Sequence, residues 1–292
     1  MSAPRGLPAT VVPGDFLARG LSAATRAFDA VAPEFDRRFG CWASVQAQRR
    51  AVRRELLAAF PPGSSLLELG GGTGEDAVFL AARGRRVLLT DGAPAMIDCA
   101  RQKVRQAGLE GTVAVERAAL EDLRPLAGLQ AGWAHPPYDG AYSNFAALNC
   151  VEDLAAVARG LAPLLRPGAN VLLVVFGRLA IGEIALHLLQ GDPGTAFRRL
   201  PRGDVPARLG GCAFTVRYPG SRTIAADFAP HFRLIRRRGI GVFVPPSAAE
   251  PAISRWPRLV RLLELLDRAA AAPLAALGDH VLLHFVRTDY GT

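Results

Sequence analysis

Apolar and polar positions alternate in blocks along the central part of the chain. Short runs that are almost wholly apolar are followed by longer segments whose apolar positions recur with helical spacing. The short runs predict buried strands and the longer segments predict amphipathic helices. The predicted strands are residues 65–69, 86–90, 112–117, 138–145 and 170–176, and the predicted helices are residues 75–83, 93–107 and 151–165. This order predicts an α/β fold with a mostly parallel sheet covered on both faces.

The amino-terminal part precedes this alternation and has a different pattern. Residues 1–20 contain three prolines and are expected to form a loose arm. Helices are expected at residues 22–39 and 43–60, and the second is stopped by Pro61-Pro62-Gly63. We therefore predict an arm and helical lid over residues 1–60, in front of a main domain over residues 61–292.

Beyond residue 177 the alternation weakens. A helix at residues 181–190 leads into a stretch rich in proline, glycine and arginine, and two last strands at 232–238 and 280–287 flank a helix rich in leucine and alanine. We read residues 191–230 as an insertion after the fifth strand that covers a substrate pocket. The complete prediction is a doubly wound, mostly parallel, seven-stranded α/β sheet with this insertion and the amino-terminal lid.

The balance of charge raises the question of a nucleic-acid partner. The 292 residues carry a formal net charge of +9, with a pI of about 10.3, and basic proteins often bind nucleic acid. Lys103 is the only lysine, however, and the arginines are spread along the chain apart from short runs such as Arg236-Arg237-Arg238. This distribution argues against nucleic acid and favours a small-molecule substrate. The oligomeric state stays open between monomer and homodimer.

The spacing of the cysteines and the hydropathy of the chain indicate the cellular compartment. The four cysteines, Cys41, Cys99, Cys150 and Cys212, lie far apart without a CxxC pair, which argues against a zinc site and a disulfide framework. The amino terminus has no apolar run of signal-peptide length. The most apolar strand-like run, residues 171–176, is far too short to span a bilayer. We expect a soluble, cytoplasmic protein with no membrane span and no bound metal.

The strongest local signal is Leu66-Leu67-Glu68-Leu69-Gly70-Gly71-Gly72-Thr73-Gly74. A buried strand runs into a glycine turn that opens a helix, as a ligand-binding turn requires when the ligand must approach the main chain closely. An ordinary tight turn between strand and helix rarely needs four glycines in five positions. Because residues 72–77 also satisfy GxGxxA, the dinucleotide fingerprint, the turn alone does not identify the ligand.

Two carboxylates narrow the choice of ligand. Asp91 follows the next apolar run, about twenty residues on, where a carboxylate can accept the hydroxyls of a ribose. NAD and S-adenosylmethionine both carry such a ribose. Glu68 lies inside the first strand and is costly to bury without a partner. A ligand ammonium would supply that partner, whereas a pyrophosphate would be repelled, so Glu68 favours S-adenosylmethionine.

An ordered set of segments resembles the class I, Rossmann-like S-adenosylmethionine-dependent methyltransferases. The segments are LLELGGGTG, TDGAPAMIDCAR, ALEDL, YDGAYSNFAALN and LLRPGANVLLVV, and the resemblance covers residues 22–177 well and the remainder loosely. It implies an enzyme with S-adenosylmethionine as cofactor. The residues it implies for cofactor binding are Glu68, Gly70, Gly71, Gly72, Gly74, Asp91, Gly92, Met96, Leu120, Glu121 and Asn144.

The resemblance also implies what each group of these residues does. The glycines would pass beneath the methionine part of the cofactor, with Glu68 beside its amino group. Asp91 would hold the ribose, Met96 would pack near the adenine, and Leu120 and Glu121 would flank the adenine edge. Many relatives have an aspartate just before this last loop, where Ala118-Ala119 stand in this chain. Adenine recognition would then depend on backbone groups and Glu121.

On the acceptor side the expectations are less specific. The end of the fourth strand faces the methyl group in this fold, which makes Tyr142, Ser143 and Phe145 candidates for the substrate pocket. Residues 28–36, FDAVAPEFD, resemble the YDxxAxxYD lid of several small-molecule methyltransferases, with Phe28 and Phe35 in place of the tyrosines. Tyr218 and His231 are further candidates from the inserted region. No general base is identified, and His280 and His284 are expected to be structural.

Two other features can be interpreted either as functional or as ordinary structural features. His135-Pro136-Pro137-Tyr138 resembles the NPPY motif of enzymes that methylate amino groups of nucleic acids, but it precedes the fourth strand and lacks the asparagine, so we interpret it as a proline turn. The insertion contains arginines that could favour an anionic substrate or simply face solvent. These arginines are Arg198, Arg199, Arg202, Arg208, Arg217 and Arg222.

The favoured hypothesis is therefore methylation of oxygen, nitrogen or carbon in a small molecule, with a biosynthetic role or a role in secondary metabolism. An RNA or protein methyltransferase is the main alternative, because of the high pI. A non-catalytic binding member of the fold and a nicotinamide oxidoreductase complete the alternatives. Since fold does not determine function, the sequence leaves the acceptor open.

Overall fold

A computed structural model describes residues 21–130, 132–201 and 203–288. The predicted arm at residues 1–20 lies outside the described residues. The helices are α1 (Ala23–Phe39), α2 (Ala43–Ala59), α3 (Glu75–Ala81), α4 (Pro94–Gln106), α5 (Leu154–Leu161), α6 (Ile181–Leu189), α7 (Pro193–Ala196), α8 (Ser221–Phe228) and α9 (Pro257–Ala270). The strands are β1 (Ser65–Leu69), β2 (Arg86–Asp91), β3 (Val113–Arg117), β4 (Tyr138–Ser143), β5 (Leu165–Phe176), β6 (Asp204–Leu209), β7 (Cys212–Arg217), β8 (Phe232–Ile240) and β9 (His280–Arg287).

Seven strands form one sheet in the order β3-β2-β1-β4-β5-β9-β8. The first five are parallel, and β9 runs antiparallel to both of its neighbours. Every residue of β1 is buried, because helices cover both faces of a parallel sheet. The predicted seven-stranded, mostly parallel fold is confirmed. The strand order reverses beside β1, so the carboxyl ends of β1 and β4 border one crevice, which is where open α/β sheets bind ligands.

Apolar residues cover the sheet on each face. One cluster joins α5 and α8 to the sheet and includes Leu161, Phe228 and Phe285. The other joins α2, α3 and α4 to the opposite face and includes Phe60 and Leu80. Because both faces are covered, the ends of the strands are the places where a ligand can reach the sheet.

Three predicted boundaries shift for local reasons. The helix expected at residues 151–165 is shorter: it begins after Asp153, whose side chain accepts the N–H of Ala156, and is α-helical only to Leu161. A 3₁₀ turn containing Pro163 follows, since proline lacks the N–H that a helix interior needs. The strand expected at residues 138–145 stops at Ser143, because Phe145 and Ala146 have φ angles of 50° and 67°.

The predicted insertion at residues 191–230 consists of two parts. Strands β6 and β7 form a separate antiparallel hairpin that packs on α1. Helix α8, in contrast, packs against α5 and β8, with Ile224 and Phe228 fully buried in the main core. The last ten residues of the predicted insertion therefore belong to the cover of the sheet. Among the described residues, no helix is long and apolar enough to cross a membrane.

Candidate functional site

The glycine turn after β1 adopts backbone angles that favour glycine. Gly70, Gly72 and Gly74 have φ angles of 64°, 56° and 83°. A Cβ at Gly70 would lie 2.6 Å from the Cβ of Ala147, and a Cβ at Gly71 would lie 2.8 Å from the carboxyl carbon of Glu68. The turn is thus packed between the loop after β4 and the buried carboxyl group. A side chain on either glycine would displace one of these neighbours.

Asp91, at the end of β2, is tied to this turn through its carboxylate. Its Oδ2 accepts the N–H of Gly72 and its Oδ1 accepts the N–H of Ala93, both at 2.9 Å. Burial raises the pKa of Asp91, although the hydrogen bonds from the backbone partly oppose the shift. These two bonds leave acceptor capacity on both oxygens, because each carboxylate oxygen has two lone pairs.

Glu68 lies below the turn and is almost completely buried. Within the described part of the chain, its Oε2 makes no hydrogen bond of good geometry, and the buried phenol of Tyr142 lies beside the carboxyl group. Burial raises the pKa of Glu68 well above its usual range, the nearby carboxylate of Asp76 adds to the increase, and the phenol of Tyr142 lowers the pKa in part. An unpartnered buried carboxyl group is costly and calls for an explanation. Here it lines a cavity, so a ligand can supply the missing partner.

Asp76, in the first turn of α3, is the centre of an ionic cluster. It accepts hydrogen bonds from Arg49 Nη1 at 2.8 Å, Arg53 Nε at 2.7 Å and Asn144 Nδ2 at 2.6 Å. Burial alone would raise the pKa of Asp76, but the two guanidinium groups and the amide lower it. Asp76 therefore stays ionised and connects α2, α3 and the loop after β4.

The loop after β4 is strained where it borders the cavity. Phe145 and Ala146 both occupy the left-handed region, which costs of order 1–3 kcal/mol for each residue that is not glycine. The side chain of Asn144 stabilises this conformation, since its Oδ1 accepts the N–H of Phe145 at 2.8 Å. The guanidinium of Arg49 lies 4.6 Å from the centre of the Phe145 ring. Residues far apart in sequence thus hold one ring at the mouth of the site.

The lid helix α1 is tied to the same site by polar contacts. The carboxylate of Asp29 accepts the N–H of Ala95 at 2.6 Å, at the start of α4. Lys103 donates to Asp36 and to Glu75, both at 2.6 Å, and Thr73 Oγ1 donates to Asp36 at 2.6 Å. These contacts link α1 to the glycine turn and to the helices on either side of β2.

Aromatic residues form the inner side of the lid. The rings of Phe28 and Phe35 lie 6.4 Å apart, and Phe28 lies 6.0 Å from Phe214 of β7. The hairpin and the lid helix therefore close over the crevice together. Phe214 was not among the sequence candidates, because nothing local distinguishes it from other hairpin residues.

The cavity between these elements encloses about 950 Å³ of empty space, including its open mouth. Most of the predicted residues line it. Those that do are Phe28, Phe35, Glu68, Gly70, Gly71, Gly72, Asp91, Gly92, Met96, Leu120, Glu121, Asn144 and Phe145. Ala119, whose position was expected to offer only backbone groups, lines it too. The structure thus places residues from six loops and helices around one shared space.

The structure places five other candidates away from this cavity. Gly74 caps α3 and packs against Leu89 and Ala100. Tyr142 and Ser143 are buried in β4 beneath the site, so they do not line the cavity. Tyr218 lines a neighbouring cavity, with its ring 5.8 Å from that of Phe176.

His231 lies away from the cavity, at the opposite end of the sheet's strands. It immediately precedes β8, and its carbonyl accepts the N–H of Thr288. Phe232, the first residue of β8, pairs with Arg287 of β9, and the adjacent Val286 of β9 pairs with Asn170 of β5. The start of β8 therefore lies at the same edge of the sheet as the start of the apolar part of β5. His231 therefore lies at the sheet edge opposite the cavity, and its prediction as a substrate residue is wrong. The sequence did not show which way β8 runs.

Three of the six arginines proposed as an anion site are already paired. Arg198 and Arg199 bind the buried Glu183, and Arg199 also binds Asp279 at 2.9 Å. Arg217 contacts Asp204 at 2.5 Å and Glu152 at 3.3 Å. Arg202 lies outside the described residues. The structure thus gives these paired arginines a structural role, with Arg208 and Arg222 exposed to solvent.

Sequence reasoning missed three charged residues that line the cavity, Arg49, Glu75 and Asp76. Arg49 lies on a helix with three other arginines, so its sequence position did not distinguish it. Asp76 directly follows the glycine motif, and an acidic residue at that place reads as a favourable charge in the first turn of a helix. Only the buried contact between α2 and α3 reveals that Arg49 and Asp76 form one cluster.

Comparison with known proteins agrees with this geometry. Residues 67–171 match the family described as "Methyltransferase domain". The chain is 33% identical over 158 residues to malonyl-[acyl-carrier protein] O-methyltransferase of Serratia marcescens, over 53% of this chain and 54% of that protein. It is 29% identical over 173 residues to tRNA 5-carboxymethoxyuridine methyltransferase of Escherichia coli K12, over 57% and 62%. The chain thus spans less than two thirds of the length of these curated relatives.

Solved structures share the fold. The CcbJ methyltransferase from Streptomyces caelestis superposes with a TM-score of 0.56 at 15% identity, over 90% of this chain and 98% of that chain. The 1,6-didemethyltoxoflavin-N1-methyltransferase of Burkholderia thailandensis superposes with a TM-score of 0.52 at 16% identity, over 98% and 95%. That structure contains 1,6-didemethyltoxoflavin and S-adenosylhomocysteine. At these identities the likeness extends to the fold alone.

Proposed function

This chain belongs to the class I, Rossmann-like methyltransferase family through residues 67–171, and from that premise we propose that it transfers the methyl group of S-adenosylmethionine to a small-molecule acceptor. S-adenosylmethionine supplies, when bound, a sulfonium methyl group that a nucleophile can take by in-line displacement. The observation that carries the proposal is the buried carboxyl group of Glu68, which lines the cavity and whose Oε2 makes no hydrogen bond of good geometry with any described residue.

The charges at the floor of the cavity fit the amino-acid end of this cofactor. That end is a zwitterion, so it needs one anionic and one cationic partner. Glu68 supplies the anionic partner for the ammonium group. Arg49 supplies the cation for the carboxylate, since it lines the same cavity and its Nε is buried without a hydrogen-bond partner among the described residues. Satisfying both groups at once removes two desolvation costs.

Asp91 and the residues near it fit the nucleoside end. One lone pair on each Asp91 oxygen remains free for a ribose hydroxyl after the bonds from Gly72 and Ala93 are made. Met96 and Leu120 offer apolar surface for a purine, and Glu121 offers an acceptor at its edge. We therefore assign the nucleoside to the part of the cavity between the ends of β2 and β3.

A dinucleotide fits the same cavity poorly. The charged side chains that line it are the carboxyl groups of Glu68, Glu75, Asp76, Asp91 and Glu121 and the guanidinium of Arg49. A pyrophosphate would lie beside the glycine turn, where Glu68 and Asp91 would repel it. A cationic sulfonium compound with an ammonium group is attracted by the same residues. The choice between the two cofactors follows from the sign of the lining charges.

The acceptor would lie between the lid and Phe145. Phe28 and Phe145 line this region from two different elements, and Phe214 of β7 packs on Phe28 at a distance of 6.0 Å. Such a chamber suits a compact acceptor with apolar surface, held about 3–3.5 Å from the transferred methyl group. Alignment and exclusion of water are then the contributions of this chain to the rate. No general base is assigned, because none of the five histidines lines the cavity.

An RNA acceptor is the second candidate. Two observations favour it: the net charge of +9 and the relative named as a tRNA methyltransferase. The acidic lining of the cavity and the pairing of the arginines beside it count against a polyanionic substrate. RNA binding would be strongly salt-dependent, since phosphate contacts release counterions. A small-molecule acceptor would bind with little dependence on salt.

The proposal is tested in two steps. Calorimetric titration with S-adenosylmethionine, S-adenosylhomocysteine and NAD should show binding of the two sulfur compounds and none of NAD. Transfer of labelled methyl from S-adenosylmethionine should then be measured to a low-molecular-weight metabolite extract and, separately, to total RNA. Label in the small-molecule fraction is expected. Label in RNA alone would replace the proposed acceptor class, and binding of NAD alone would refute the cofactor.

A further inference from the structure

Helix α9 presents an unusual outer surface. Large apolar side chains that normally lie in a core are exposed along it, with Trp256 66% and Leu262 54% exposed. Leu259, Leu265 and Leu266 are exposed beside them. Leu189, at the end of α6, is 88% exposed, and a groove between α6 and α9 is lined by Leu186, Trp256 and Leu259. We call Trp256 together with the exposed leucines of α9 (Leu259, Leu262, Leu265 and Leu266) the leucine face.

The opposite side of α9 is firmly attached to the protein. Val260 is buried against Ala47 and Val244. Asp267 accepts the N–H of Phe243 at 2.6 Å, and Glu264 pairs with Arg50 of α2. The helix is therefore seated in its native position. The leucine face is its outer side, so its exposure does not come from a displaced core helix.

Cations border the leucine face. Arg255, Arg258, Arg261 and Arg268 are all exposed, and none of them forms an ion pair within residues 21–130, 132–201 and 203–288. The two acidic residues of α9, Glu264 and Asp267, are turned inward and already have partners. The outer surface of α9 thus combines exposed leucines with unpaired arginines and carries no exposed acidic side chain among the described residues.

We propose that the leucine face docks on the surface of an anionic phospholipid bilayer. A helix with a leucine stripe, a tryptophan and bordering arginines can bury its apolar side chains at the level of the acyl chains while the guanidinium groups contact phosphates. Trp256 suits this position because its ring is apolar and its N–H stays in the polar interface. The proposal does not depend on the cofactor site, which is formed by other elements.

A second copy of the chain fits the same surface less well. Two leucine faces in contact would bring four unpaired guanidinium groups from each copy together, and juxtaposed like charges oppose association. An anionic surface turns the same charges into attraction. The net charge of +9 acts in the same direction. Charge complementarity therefore selects an anionic surface as the partner.

The test is co-sedimentation of the full chain with vesicles of phosphatidylcholine alone or with added phosphatidylglycerol. Binding is expected to the anionic vesicles and to weaken as salt is raised. The double variant Leu262→Glu, Leu266→Glu should lose at least about tenfold in partitioning. Arg258→Gln combined with Arg261→Gln should lose about tenfold at low salt. Ile235→Glu, which places one such negative charge on a 44% exposed aliphatic residue of β8, is compared with the single variant Leu262→Glu and should bind like the unaltered chain.

Several outcomes would overturn the proposal. One is failure of the unaltered chain to bind anionic vesicles. Another is binding of the Leu262→Glu, Leu266→Glu variant to these vesicles that is as strong as binding of the unaltered chain. Light scattering provides a further check: a dimer that the Leu262→Glu substitution converts to a monomer would make the face a contact between copies. Thermal unfolding of each variant must match that of the unaltered chain, as expected for substitutions of exposed side chains.

Discussion

Replacement of Asp91 by alanine removes the carboxylate that joins the glycine turn to the end of β2. Its two oxygens each accept one backbone N–H at 2.9 Å and each retain one lone pair for a ribose hydroxyl. Loss of these contacts should weaken binding of S-adenosylmethionine by about 1–3 kcal/mol, the usual cost of leaving a buried hydrogen-bonding group without its partner. This corresponds to a rise in Kd of about 5- to 150-fold.

The assay is calorimetric titration of the unaltered chain and of Asp91→Ala with S-adenosylhomocysteine, which binds without turnover. Asp98→Ala is the matched control, because that side chain is 79% exposed on the neighbouring helix α4. Asp91→Ala also leaves the N–H groups of Gly72 and Ala93 without their acceptor. Thermal unfolding without ligand must therefore show that this variant is folded. A folded Asp91→Ala whose Kd stays within about twofold of the unaltered value would refute the assignment of Asp91 to the ribose.

Three further predictions concern the turn, Glu68 and the ionic cluster. Gly70→Ala should lower the free energy of unfolding more than Gly108→Ala does: both positions have φ near 65°, but only a Cβ at Gly70 meets a neighbour, at 2.6 Å. The shared backbone penalty is about 1–2 kcal/mol, and equal losses in urea unfolding would contradict the predicted clash. Because burial raises the pKa of Glu68, affinity for S-adenosylmethionine should fall as the pH is lowered through that raised pKa, and Glu68→Gln should bind weakly without this pH dependence. In the ligand-free protein the sign is opposite, since neutral Glu68 stabilises the fold below its unfolded pKa and this stabilisation is lost as the pH rises through the folded one. Asp76→Ala should lower the free energy of unfolding by about 3–5 kcal/mol, because it leaves Arg49 and Arg53 without their buried anion; the exposed Asp122→Ala is the control, and an equal, small effect of the two would show that the cluster contributes little.

The central strands were predictable because their signal is local. An apolar run bounded by turn residues identifies a buried strand wherever it occurs, so β1 and β9 have the predicted bounds. The glycine turn was predictable for a similar reason, since several positions with positive φ in one short segment require glycine whatever surrounds them. The end of β4 was not, because Phe145 and Ala146 carry no preference for the left-handed region and are held there by Asn144 and by packing.

The ion-pair partners of the arginines could not be predicted from the sequence. Arg49, Arg198, Arg199 and Arg217 look alike in a chain with many arginines, yet the first borders the cavity and the others bind Glu183, Asp279, Asp204 or Glu152. Arg49 is itself paired with Asp76, and which anion each guanidinium binds depends on residues far away in the chain. His231 illustrates the same limit, since its side of the molecule follows from the direction of β8 in the sheet.

Residue types and their spacing therefore determined the class of fold, the turn at the cofactor site and the two carboxylates beside it, because these depend on short-range periodicity and on backbone angles. The tertiary structure decided how the site is enclosed and where its charges are free. It brought Phe214 of the hairpin close to Phe28 of the lid, paired Asp76 with Arg49 and Arg53, and left the leucines of α9 exposed within the described part of the chain. These outcomes depend on contacts between segments distant in sequence, whose free energy exists only once the chain is folded.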